Sequence, residues 1–146
     1  MPEPGAGLRL AVAPDLAALE AAQERVADWL DGQGVGLATA RRVRLVIEEL
    51  LVNLVMHGRY PAGPEPALVE LCLADGGVTL AIEDPAEPFD PREEPSPAAP
   101  PSLDDDRLGG LGLPLVRRMA EILHYGRTPN GWNRTELHFR VVSAGG

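Results

Sequence analysis

The chain has no lysine; all 13 of its basic residues are arginine. That excludes a P-loop, which needs a lysine against the terminal phosphates, and any lysine Schiff base. Serine occurs only at Ser96, Ser102 and Ser143, in expected loop or tail, which argues against a Ser-His-Asp hydrolase. Cys72 stands alone and cannot form an internal disulfide, so a reducing compartment, the cytoplasm, is expected. No apolar run approaches the roughly 20 residues of a membrane helix. Met1-Pro2-Glu3-Pro4 lacks the basic and apolar regions of a signal peptide. Aromatic residues are scarce, at 4%, so aliphatic side chains must fill most of any core. Positive charge is also in deficit. The formal net charge of −9 repels nucleic acid and anionic membranes. An anionic ligand would need a local device to hold it.

What is present fits a single domain over residues 1–146. Leu8 to Ala13 reads as a short strand. Asp15 caps a helix with Leu16, Leu19, Val26 and Leu30 at helical spacing, ended by Gly32, Gly34 and Gly36. A second helix is expected from about Thr39 to about His57, closed by Gly58, with Val43, Val46, Ile47, Leu50 and Leu54 on its apolar face. Two strands follow, carrying Val69, Leu71, Leu73 and then Val78, Leu80, Ile82 on one face each, joined by a hairpin turn at Asp75-Gly76-Gly77. Pro85 to Leu108 holds seven prolines and reads as a long loop, with a lid at about 91–108. Helical pattern resumes after Gly109-Gly110 and runs to about Ile122. Strands near Leu123–Thr128 and Thr135–Val142 flank a turn at Asn130-Gly131. Helices and antiparallel strands segregate along the chain, which indicates a two-layer α+β sandwich.

Three groups of residues carry chemistry. Glu49, Asn53 and His57 are spaced by four and share one stripe at the flank of the second helix's apolar face. They read either as a pocket wall, with the Asn53 amide oxygen available to Mg²⁺, or as a helix edge of satisfied polar groups. Glu48 points to the Arg41 and Arg44 side, where pairing with Arg44 is expected instead of catalysis. Asp84 continues the parity of Val78, Leu80 and Ile82 onto the core face, where a carboxylate must find donors or shift its pKa. An adenine amino group is one suitable donor; a strand-end turn before Pro85 is the plainer reading. Thr135 shares the parity of Leu137 and Phe139, so it can line the same cavity as Asp84. Gly109-Gly110-Leu111-Gly112-Leu113 opens a helix and reads either as a turn or as a phosphate cradle of free N–H groups.

In this order the segments resemble the three boxes of the GHKL ATPase superfamily. Ile47-Glu48-Glu49-Leu50-Leu51-Val52-Asn53 through His57-Gly58 resembles the first box. Ile82-Glu83-Asp84 through Pro88-Phe89-Asp90-Pro91 resembles the second, in the form typical of anti-sigma-factor serine kinases. Gly109-Gly110-Leu111-Gly112-Leu113-Pro114-Leu115-Val116-Arg117-Arg118 resembles the third. The match spans about residues 8–142, with the tail from Tyr125 through Asn133-Arg134-Thr135-Glu136-Leu137 continuing it.

The resemblance implies a Bergerat sandwich, helices over one mixed, mainly antiparallel sheet. It implies ATP and Mg²⁺ as ligands, with Glu49 as general base, Asn53 as the Mg²⁺ ligand and Asp84 as the adenine-reading carboxylate. Gly110 and Gly112 would cradle phosphate, Arg107 would stand near them, one position off the family's basic residue, and Thr135 would support adenine. The implied role is partner switching: an alternative sigma factor is bound, and a serine of a STAS-type antagonist is phosphorylated. Neither nucleic acid nor membrane is contacted directly, and a homodimer is allowed. Two departures stand out. The second box reads Asp84-Pro85-Ala86 where the family has Asp-x-Gly, and Asp104-Asp105-Asp106 precedes Arg107. Both favour an alternative, a nucleotide-binding module that sequesters a regulator with weak or no kinase activity. A detached histidine-kinase domain is disfavoured, because no phospho-acceptor helix pair is present.

Overall fold

The computed structural model describes residues 7–58, 60, 63–87 and 116–141. Its elements are β1 (Leu8–Val12), α1 (Leu16–Gly32), α2 (Leu37–His57), β2 (Ala67–Ala74), β3 (Gly77–Asp84), β4 (Glu121–Arg127) and β5 (Asn133–Arg140). The five strands form one sheet in the order β1-β2-β3-β5-β4. All four pairings are antiparallel. The two helices pack on one face of it, giving the expected α+β sandwich.

Alternation along the strands supplies the lower half of the core. Val69 and Leu71 of β2, Val78, Leu80 and Ile82 of β3, and Leu137 and Phe139 of β5 are buried on the inner face. The upper half comes from Leu19, Val26 and Leu30 of α1 and from Val43, Val46, Ile47 and Leu51 of α2. Leu51 joins the expected apolar stripe, while Leu50 and Leu54 are partly buried beside it. Phe139 is the one aromatic among the largest fully buried side chains, so aliphatic packing dominates as the composition required.

Local signals fix the elements. The Asp15 side chain accepts from the Ala18 N–H at 2.7 Å and caps α1. At the other end Val35 N–H reaches Leu30 O and Gly34 N–H reaches Asp31 O, the paired bonds of a Schellman exit. Gln23 ties the helices together: its amide donates to Arg44 O at 2.8 Å and to Glu48 Oε1 at 3.3 Å. Arg44 and Glu48, expected to pair with each other, are held by Gln23 instead, whose oxygen accepts from Arg44 Nε at 3.4 Å. The β2–β3 turn uses Asp75 at φ 52° and Gly76 at φ 74°, a two-residue reversal, and Gly77 already pairs with Ala74.

Two boundaries differ from expectation. Helical structure near the C-terminal end covers 116–119 and stops before Ile122, which lies in β4. β5 starts at Asn133, two residues before Thr135. The expected lid at 91–108 lies outside the described residues.

Gly58 stands at the end of α2, where a side chain has no room. A Cβ would meet Leu54 O at 2.5 Å and the Tyr60 hydroxyl at 2.8 Å, while at Gly32 a Cβ meets nothing within 4 Å. Gly58→Ala is therefore expected to cost about 1–3 kcal/mol through forced displacement. Gly32→Ala should stabilise by roughly 0.5–1 kcal/mol through lost unfolded-state entropy. Urea unfolding of both variants checks this; equal effects would refute the crowding at Gly58.

Candidate functional site

α2 packs on β5, and its polar flank lies beside the Asp84 end of β3 and the Asn133 end of β5. Glu49 and Asn53, one turn apart on that flank, are both half-buried, as their position beside the apolar stripe required. A cavity of about 50 Å³ opens beneath it. Leu50, Asn53 and Leu54 of α2, Ile82 and Asp84 of β3, Glu87, Tyr125 of β4, and Asn133 and Thr135 of β5 line it. Three of the residues singled out in the sequence, Asn53, Asp84 and Thr135, therefore share one cavity. Glu49 is not in its lining. The volume suits one edge of a ligand, since pockets holding whole small molecules measure roughly 300–1,000 Å³. A second groove, of about 540 Å³, lies between α1 and α2 around Gln23 and has no residue in common with the first.

Asp84 is the buried charge of the site. It is 8% exposed, on the inner face as its parity predicted. Its Oδ1 accepts from Asn133 Nδ2 at 2.9 Å and from the Ala86 N–H at 3.0 Å. Oδ2 accepts no hydrogen bond among the described residues. Burial pushes the carboxyl above the usual aspartate range, and the bonds from Asn133 and Ala86 and the charge of Arg127 oppose that without cancelling it. Glu49 is also raised, first by burial and then by the neighbouring charge of Glu48. A carboxylate raised in this way is a better proton acceptor than an ordinary glutamate.

Asn133 and Tyr125 stood in the sequence only as part of the tail that continues the resemblance, with no role of their own. Asn133 is 3% exposed and pairs in register with Asp84. Besides Asp84 it donates to Ala86 O at 2.8 Å, and its own oxygen accepts from the Tyr125 hydroxyl at 3.0 Å. Its parity matches Thr135, which is the clue available in the sequence. The adjacency of β5 to β3 that gives the clue meaning is not readable from spacing. Tyr125 reaches the inner face because a register shift between Ile122 and His124 lets both Ile122 and Tyr125 face the helices.

Ala86 occupies its turn without strain. Asp75 alone among described non-glycine residues has a positive φ, and Ala86 is 5% exposed. Arg107, Gly110 and Gly112 lie outside the described residues, and of His57 only the backbone position is described. Among the described residues no three His, Cys, Asp or Glu side chains form a metal-holding group. That donor set does not conflict with Mg²⁺, which commonly takes one or two protein oxygens and fills the rest with water and phosphate. Asn53 offers one such oxygen at the cavity. No described helix is long and apolar enough to cross a membrane.

Comparison with known proteins shows what the chain and its fold are similar to. The histidine kinase-like ATPase domain family matches residues 12–139. The serine/threonine-protein kinase BtrW of Bordetella bronchiseptica is 33% identical over 113 residues, covering 75% of this chain and 79% of that protein. The crystal structure of the RsbU and RsbW domains of Rv1364c from Mycobacterium tuberculosis superposes with a TM-score of 0.63 over 92% of this chain at 19% identity, which speaks to the fold. This chain spans 32% of that longer one.

The raised Asp84 carboxyl has a measurable consequence. A group whose folded pKa lies above its unfolded value, about 3.9 for aspartate, favours folding when protonated. That contribution is complete below the unfolded value and is lost as pH rises through the folded one. Asp84→Asn keeps an oxygen for Asn133 and Ala86 and carries no charge. Its stability relative to the native protein should rise from about pH 4 upward, read by urea unfolding of the ligand-free proteins. A difference independent of pH would contradict the burial of this charge.

Proposed function

The chain belongs to the histidine kinase-like ATPase domain family, and from that premise we propose that it is an ATP-binding anti-sigma factor. In this reading it transfers the γ-phosphate of ATP to a serine of a STAS-type antagonist and holds an alternative sigma factor when that antagonist is absent. It works in the cytoplasm with Mg²⁺. The observation that carries the reading is the convergence of Asn53, Asp84 and Thr135 from α2, β3 and β5 on one cavity. Likeness to a serine/threonine-protein kinase over three quarters of the chain supports it.

Each residue then has a stated task. Asp84 presents Oδ2 to the amino group of adenine, and Thr135, beside Ile82 in the register, supports the base. Asn53 directs its amide oxygen toward the metal. Mg²⁺, when bound with ATP, supplies charge neutralisation across the phosphate oxygens. Glu49, one turn before Asn53, accepts the proton of the attacking serine hydroxyl, a task its raised pKa favours. Gly110 and Gly112 with Arg107 cradle the phosphates through N–H groups and one guanidinium. This is the local device that a chain of net charge −9 needs.

Three variants separate binding from transfer. Glu49→Gln should keep ATP affinity and lose about 10²–10⁴-fold in the rate of phosphate transfer to the antagonist. Asn53→Ala should weaken the Mg²⁺-dependent part of ATP binding. Asp84→Asn should lose about 10- to 100-fold in ATP affinity, because its amide places a donor against the adenine donor. Isothermal titration and labelled-phosphate transfer measure these. ATP binding without transfer to any antagonist would leave the sequestering module, and no ATP binding at all would sink the reading.

A further inference from the structure

Asn133 is bonded through both ends of its amide at the cavity. Its amide orientation is forced by chemistry. The Asp84 carboxylate and the Ala86 carbonyl can only accept, so the NH₂ group must face them. Its oxygen then faces the Tyr125 hydroxyl, which donates to it. Both amide hydrogens and the oxygen are in use, at 2.9, 2.8 and 3.0 Å. At 3% exposure no water can readily replace these bonds. Asn133 has no amide hydrogen left for a ligand, although it lines the cavity.

Its position matters for Asp84. The two residues sit opposite each other in the β3–β5 register, so Asn133 holds the carboxyl from the adjacent strand. The Ala86 N–H holds the same oxygen from the following turn. With Oδ1 fixed from two directions, rotation of the carboxyl about its last bond would break two hydrogen bonds. The second Asn133 bond, to Ala86 O, ties that turn to β5. We infer that Asn133, anchored by Tyr125, is a positioning residue for base selectivity: it locks Asp84 so that a single carboxylate oxygen faces the ligand and accepts only from an amino group. The inference rests on the ATP site proposed above and deepens it, by naming what makes that site choose a 6-amino purine over a 6-oxo purine.

The test compares ATP with inosine triphosphate, which carries an oxygen in place of the 6-amino group. The native protein should bind ATP about tenfold or more tightly than inosine triphosphate, since the oxo group leaves Oδ2 facing another acceptor. Asn133→Ala should bring that ratio close to one, mainly by weakening ATP. Tyr125→Phe removes only the anchoring hydroxyl and should lower the ratio in the same direction by less; it carries the test if Asn133→Ala does not fold. A merely structural role would weaken both nucleotides alike and leave the ratio intact, which overturns the inference. So does a native protein that holds the two equally. The lock is also read without nucleotide. Hydrogen exchange at the Ala86 N–H should accelerate in Asn133→Ala, because the turn loses its tie to β5. If the native protein binds neither nucleotide, the ATP reading fails. The lock then stands or falls on that exchange rate alone: unchanged exchange overturns it, and accelerated exchange sustains it.

Discussion

A carboxylate held between a helical layer and a sheet is costly unless donors surround it, and the arrangement of this site follows from how that cost is met at Asp84. Period-two alternation carries Asp84 inward after Val78, Leu80 and Ile82, and nothing in the strand geometry can turn it out again. The protein answers with two donors on one oxygen, from Asn133 and from the Ala86 N–H. They reduce the penalty without abolishing it, as the raised carboxyl records. A partly compensated charge at a cavity favours any ligand that brings a further donor. In the proposed reading adenine is that ligand, and part of the stability withheld from the empty fold returns on binding.

The same strand pair is fastened on both faces. On the inner face Asp84 meets Asn133; one register step away, on the outer face, Glu83 meets Arg134 at 2.6 Å. Arg134 also holds Glu136 at 2.7 Å and lies 3.7 Å from Glu70, which Arg9 of β1 reaches at 2.8 Å. Each pair, still open to solvent in part, contributes only about 0–1 kcal/mol. Their arrangement matters more than their sum, because the outer network spans β1, β2, β3 and β5. An acidic chain thus uses its few arginines to neutralise carboxylates across the sheet, and the global field is left negative.

What the sequence revealed of the site was its periodicity. Parity put Asp84 and Thr135 on the inner face, and a four-residue spacing put Glu49 and Asn53 on the flank of α2, because both signals are set by residues close in the chain. Asn133 escaped because its meaning depends on β5 lying next to β3, with β4 outside it at the sheet edge. Pairing between strands some 50 residues apart is a tertiary choice that no local pattern encodes. Tyr125 escaped for a different reason. Strict alternation groups it with Leu123, whereas the register shift near Ile122 leaves Leu123 49% exposed and turns Tyr125 inward. The end of the preceding helix was misjudged for a related reason. Val116, Met119, Ala120 and Ile122 all pack against the core. That apolar spacing reads as one helix although a strand begins at Glu121.

The alanine where the family's second box has glycine fits this network. A glycine is required where φ is positive or where a backbone or ligand approaches too closely for a Cβ. Ala86 does not meet the first condition, since its φ is not positive, and its methyl is buried. Its backbone polar groups are satisfied by Asp84 Oδ1 and Asn133 Nδ2. A turn fixed at both groups has little need of the freedom that glycine brings, and replacing glycine by alanine at a compatible φ removes unfolded-state entropy. The chain therefore combines an alanine that restricts the turn with an asparagine that pins it. The two residues support one another: Asn133 without a rigid turn would hold a mobile partner, and Ala86 without Asn133 would leave a buried carbonyl unpaired.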